Sequence, residues 1–109
     1  MTKEAAIILQ KRLRHSVVKD VLAEMDRQIE KFGLQNHPPE WYLTILMEEV
    51  GEAAKAALES KFAFDARGDS AEDNYLEELV QIAAVAISAI LCREKQLEIN
   101  QEIQNDIPV

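Results

Sequence analysis

Cysteine occurs once in this 109-residue chain, at Cys92, so no intrachain disulfide can form and nothing calls for an oxidising compartment. Cys92 lies in an apolar stretch and is expected to be a buried, inert thiol. Glycine and proline number three each, too few to interrupt long helices often, and aromatic residues are only 6%. Cationic residues are the minority, with 12 Lys and Arg against 20 Asp and Glu and a net charge of -8. That balance excludes the basic footprint by which a protein grips a nucleic-acid polymer. It leaves open a single nucleotide, because a bound divalent cation can invert the local field. The N-terminus Met1-Thr2-Lys3-Glu4 has no apolar h-region after it, since charges recur at Lys11, Arg12 and Arg14, and the nearly apolar run Ile82 to Cys92 is well short of a membrane span. The expectation is a cytoplasmic chain with no membrane partner, forming one domain over residues 1–109.

What is present is helical periodicity. Leu9, Leu13, Val17, Val21, Met25, Ile29 and Phe32 recur every three or four residues, marking one apolar face of a helix from about Lys3 to Phe32, with Gly33 placed to end it. Lys19, Asp20, Glu24, Arg27, Glu30 and Lys31 are assigned to the opposite, solvated face, and His15 is expected to be exposed among them. The break Leu34-Gln35-Asn36-His37-Pro38-Pro39 follows, and its second half suits a helix start, where proline's missing N–H is no loss. A second helix is expected from about Glu40 to Lys61 or Ala63. A third begins near Asp69, where Asp69 with Glu72 or Ser70 with Asp73 has capping-box spacing, and it becomes apolar on most faces from Tyr75 to Leu91. Beyond Arg93-Glu94-Lys95 the stripe Ile99, Ile103 and Ile107 predicts a continuation or a short fourth helix ended by Pro108. The fold expected is all-α: an antiparallel bundle of three long helices plus a short C-terminal helix, its core completed by oligomerisation.

Within that frame one stretch carries chemistry. Glu48-Glu49-Val50-Gly51-Glu52 sets Glu52 beside both other carboxylates on one helical face, inside a run of Trp41, Leu43, Ile45, Leu46 and the alanines 53, 54, 56 and 57. Like charges in that position repel unless water screens them or a cation joins them. A second acidic pair, Glu77 and Glu78, opens the apolar part of the third helix. If helices two and three form a hairpin, Glu52 and Glu78 lie about equally far from its turn, so Glu49 and Glu52 can face Glu78 and Gln81. Oxygen ligands of this kind suit Mg²⁺, with Mn²⁺ also chemically possible. A di-iron site wants Glu-x-x-His pairs, and neither His15 nor His37 stands in one; zinc is no better served.

The loop residues Gln35, Asn36 and His37, flanked by Phe32 and Trp41, offer amides and stacking surfaces for a base, or else simply cap a turn. Lys55, Lys61 and Arg67 beyond the acidic cluster are each either phosphate contacts or ordinary helix-end cations.

These residues resemble the all-α nucleoside triphosphate pyrophosphohydrolases of the MazG-like superfamily, to which the dimeric dUTPases are related. The resemblance spans roughly Asp26 to Leu91 and rests on Glu30-Lys31-Phe32-Gly33, the Gln35-Asn36-His37-Pro38 loop, the Glu-Glu-x-x-Glu turn at Glu48, Glu49 and Glu52, and a second motif beginning at Glu78. It implies Mg²⁺-dependent hydrolysis of a nucleoside triphosphate between the α and β phosphates, giving the monophosphate and pyrophosphate, in a homodimer or homotetramer. It further implies Glu49, Glu52 and Glu78 as inner metal ligands, and Glu48 as a further ligand, water orienter or general base. Lys31, Asn36, His37, Trp41, Lys55 and Asn74 are the implied substrate contacts. Gln81 stands where the family has aspartate, and offers a carbonyl oxygen without charge. A binding protein that keeps the fold without turnover, holding a nucleotide or a protein partner, is therefore the alternative; a purely structural oligomer is the third reading.

Overall fold

A computed structural model describes residues 1–62 and 69–106, with side-chain surroundings for 1–61, 74–96 and 101–102. Three helices account for nearly all of it: α1 (Lys3–Phe32), α2 (Pro39–Phe62) and α3 (Asp69–Asp106). Each described boundary has a local cause. Thr2 caps α1 by accepting a hydrogen bond from the Ala5 amide at 3.1 Å. Gly33, at φ 75°, ends the helix, and its N–H donates to the Ile29 carbonyl at 2.7 Å. A side chain would be strained at that φ, which is why glycine stands there. Pro38 supplies the carbonyl that accepts the Trp41 and Tyr42 amides at the start of α2.

The acidic and aromatic residues fix the directions of the helices. Tyr42 near the start of α2 clusters with Val85 and Cys92 of α3, whereas Glu49, further along α2, meets Glu78, earlier in α3. Position therefore rises along α2 as it falls along α3, and the pair is antiparallel as the hairpin argument requires. α3 packs against both other helices, most extensively against α2. The Tyr42, Val85 and Cys92 cluster, backed by Ile45, Leu46 and Ala89, is the main hydrophobic core. Val21 of α1 and Ala53, Ala56 and Ala84 are buried as well.

Two expectations are corrected. No separate short C-terminal helix is present among the described residues, because the chain runs without a break from Asp69 to Asp106. Arg93, Glu94, Lys95 and Gln96 are all good helix formers, and thinning of the apolar pattern is no stop signal without glycine or proline. Second, the segment Asn74–Gln96 is long and apolar enough to cross a membrane by length and composition, more than the uninterrupted run Ile82 to Cys92 suggests. Isolated polar residues such as Gln81 and Ser88 interrupt a run without making the helix polar. That segment supplies Ala84, Val85 and Cys92 to the core between the helices, while only a minority of it is buried. The expected roles of Arg67, of the Asp69 to Asp73 capping boxes and of Ile99, Ile103, Ile107 and Pro108 fall outside the residues whose side chains are described.

Small residues divide by role on α2. Ala53 and Ala56 are buried, whereas Gly51 is exposed and a Cβ built there would meet nothing within 4 Å. Gly51 thus weakens α2 without easing any close approach. Gly51→Ala is expected to stabilise the protein by up to about 1 kcal/mol, seen as a rise in Tm in thermal melts; a fall would show that the position is used.

Candidate active site

A cavity of about 500 Å³ lies among the three helices and the 34–36 turn. Its walls follow helical spacing. α2 contributes Tyr42, Ile45 and Glu49, and α3 contributes Gln81, Val85, Ser88 and Cys92, each series stepping by three or four along one face. α1 contributes Glu24 and Gln28 and, further on, Lys31 and Phe32. The cavity accordingly has two ends. Glu24, Glu49 and Gln81 form an acidic end; Phe32, Leu34, Asn36, Tyr42 and Cys92 form an end of rings, amide and thiol. Tyr42 and Glu49 stand about 10 Å apart along α2, from the rise of about 1.5 Å per residue.

At the acidic end the carboxylates are unevenly compensated. Glu49 has its pKa raised, first by burial, then by a hydrogen-bonding approach to Glu78 and by the charges of Glu78, Glu52 and Glu24. One oxygen of Glu78, Oε2, is buried and receives no hydrogen bond from the described residues. Two carboxyl groups this close hold a proton between them or await a cation. Glu24 is different: Arg27 donates to both of its oxygens, at 2.7 and 2.6 Å, and Gln28 donates at 3.3 Å. The Arg27 hydrogen bonds, working against burial, lower its pKa.

Glu24 was expected on the solvated face, and that is corrected. Its side chain is only 12% exposed, against 54% for Arg27, and it faces the cavity. The available signal was its position three residues after Val21 and four before Gln28, on the flank of the apolar stripe. His15 is exposed as expected, and Cys92 is buried as expected.

The structure separates the remaining candidates. Glu49 and Gln81 line the cavity together, and Glu78 adjoins Glu49. Glu52 is exposed and acts on Glu49 through its charge, while Glu48 is exposed. Among the described residues, no three carboxylate, imidazole or thiol groups converge closely enough to enclose a metal ion by themselves. The pair Glu49 and Glu78, with its unsatisfied oxygen, still fits a cation such as Mg²⁺, which keeps waters and takes its other ligands from substrate phosphates.

Lys31 and Asn36 border the cavity at its ring end, Lys31 with its ammonium 5.1 Å from the centre of the Phe32 ring. His37 instead lines a second cavity of about 290 Å³ on the other side of Tyr42, with Leu43, Leu46, Ile90 and Arg93. Its ring hydrogen-bonds with Gln35 Oε1 at 3.0 Å and lies 6.0 Å from Trp41, which is exposed. Lys55 and Asn74 are exposed and line neither cavity.

Sequence reasoning missed what holds the turn. The Cys92 thiol donates to Asn36 Oδ1 at 3.1 Å and Gln96 Nε2 donates to the same oxygen at 2.8 Å. Tyr42 donates to the Gln35 carbonyl at 3.3 Å, and burial, with Cys92 beside it, raises the tyrosine pKa. The two contacts to Asn36 join residues more than fifty apart, beyond the reach of any local pattern.

Compared with protein-family models, with curated proteins and with solved structures, the chain matches none.

Proposed function

We propose that the chain is a Mg²⁺-dependent nucleoside triphosphate pyrophosphohydrolase of MazG-like type, acting in the cytoplasm as a homo-oligomer. The observation that carries this reading is the Glu49 and Glu78 pair, mutually repelling and, among the described residues, with one Glu78 oxygen unsatisfied, at one end of a cavity whose other end offers rings and amides. A span of about 10 Å separates the two ends, close to that from a nucleobase to its first phosphates. In the reaction a water oxygen bonds to phosphorus, the bond to the bridging oxygen between the α and β phosphates breaks, and monophosphate and pyrophosphate leave. A bound Mg²⁺ or Mn²⁺ would supply charge neutralisation to the triphosphate and to the reacting phosphoryl group. Glu49 and Glu78 would hold the cation, with Glu52 and Gln81 as its further neighbours, and Glu48 is the candidate to orient water. Lys31 and Asn36 serve as substrate contacts at the ring end.

The test is a panel of natural and modified nucleoside triphosphates with Mg²⁺ and with Mn²⁺, read as pyrophosphate release. At least one substrate is expected to turn over, and Glu52→Gln to lose at least 100-fold in rate. A panel without pyrophosphate refutes the proposal. Gln81 in place of aspartate, and the lack of a three-ligand cluster among the described residues, favour a second reading: a protein of this fold that binds nucleotide or a protein partner without turnover. It predicts saturable binding with no product.

A further inference from the structure

The turn between α1 and α2 is held by an asymmetric contact. Asn36 Oδ1 accepts from two donors on α3, the Cys92 thiol at 3.1 Å and Gln96 Nε2 at 2.8 Å. The thiol has a second acceptor nearby, the His37 carbonyl, but at 3.7 Å, so its proton goes to Asn36. A side-chain amide is planar and its two ends are chemically opposite, oxygen accepting and nitrogen donating. With the oxygen held against α3 by two donors, the group Asn36 has left to offer is its NH₂. Asn36 borders the main cavity at the end lined by Phe32, Leu34 and Tyr42.

We propose that Cys92 and Gln96 are positioning residues that fix Asn36 as a hydrogen-bond donor to the cavity, so that the site takes nucleobases presenting a keto oxygen over those presenting an amino group. This rests on the reading of the cavity as a nucleotide site. The discrimination follows from pairing: a keto oxygen accepts from the Asn36 NH₂, whereas an exocyclic amino group sets donor against donor and leaves both unsatisfied. The base lies at the ring end with its phosphates toward Glu49. A pocket that relied on stacking alone would not distinguish bases of equal shape.

The experiment measures calorimetric dissociation constants for two isosteric pairs of 5′-monophosphates, uridine against cytidine and inosine against adenosine, with pyrophosphate release followed separately. The wild-type protein is expected to bind the keto member of each pair roughly tenfold more tightly or better. Asn36→Asp, which presents an acceptor to the cavity, is expected to reverse the preference. Gln96→Ala, at a half-buried site where folding is less at risk, is expected to bring the ratio toward one. Because the readout is a ratio within one protein, a general loss of stability does not imitate it. Equal binding of both members by the wild type, or an unchanged ratio in either variant, overturns the assignment even where triphosphates are hydrolysed. Keto-selective binding without pyrophosphate would instead support it while refuting the hydrolase. Absence of binding by any of the four overturns it together with the nucleotide reading.

Discussion

Glu49→Gln is expected to raise the melting temperature of the metal-free protein at neutral pH and at the same time to abolish pyrophosphate release. Glu49 has a raised pKa because burial and then the neighbouring Glu78, Glu52 and Glu24 disfavour its charged form. For a carboxyl raised in this way, the folded state binds its proton more tightly than the unfolded chain. The stability so gained is fully present below the ordinary value of 4.5 and is lost as pH rises through the raised folded value. At pH 7, therefore, ionised Glu49 opposes folding. Glutamine removes the charge at nearly constant shape and brings an NH₂ that can donate to the unsatisfied Glu78 oxygen. Water reaches part of the site, so the gain is modest, about 1 kcal/mol or less, or a few degrees in Tm.

Divalent cation separates this variant from the wild type. Mg²⁺ binding only the folded state raises the wild-type Tm with concentration and leaves Glu49→Gln unmoved. The rate loss is expected to exceed 100-fold, the scale on which removing one electrostatic contact to a transition state is felt. A lower Tm for the metal-free variant would refute the repulsion, and retained turnover would refute the site. Glu24 acts in the opposite sense. Its Arg27 hydrogen bonds lower its pKa, so its contribution is present above the unfolded value and disappears as pH falls through the lowered folded one. Acidification thus relieves Glu49 before it costs Glu24.

The helix limits were legible because the residues that set them act locally. Gly33 and the proline pair of Pro38 and Pro39 punctuate the chain wherever they stand. That the acidic turns of α2 and α3 face each other was legible from the hairpin, but equal height picks out Glu52, which is exposed; Glu49, one turn earlier, is the residue that meets Glu78. Glu24 escaped because an apolar stripe has flanks, and periodicity alone does not decide whether a flank residue faces water or a cavity. Asn36 escaped for a different reason. Its partners Cys92 and Gln96 are brought to it only by the packing of α3, and a polar turn reads the same whether its amide faces solvent or a helix. The continuity of α3 was hidden by a change of pattern without any change of helix propensity.

Self-association is the second large effect expected. Seven residues form the buried hydrophobic set of the described chain, and three of them, Ala53, Ala56 and Ala84, are alanines that contribute little area. Leu76, Leu79, Ile87 and Ile90 meanwhile recur along one face of α3 and are all exposed, Ile90 to 58%. On α1, Ile7, Ile8, Leu13, Val17 and Val18 are exposed as well. Apolar surface of that extent favours association, because each such side chain removed from water contributes about 1.5 to 3 kcal/mol when fully buried. Sedimentation at micromolar concentrations is expected to give at least twice the 12.4 kDa chain mass, with a Tm that rises with protein concentration. Ile87→Lys combined with Ile90→Lys places two charges on that face without touching Tyr42, Val85 or Cys92. This variant is expected to sediment as a monomer, melt several degrees lower and lose the concentration dependence. A wild-type protein that stays monomeric at 100-fold higher concentration would show instead that the single chain is stable with this face in water.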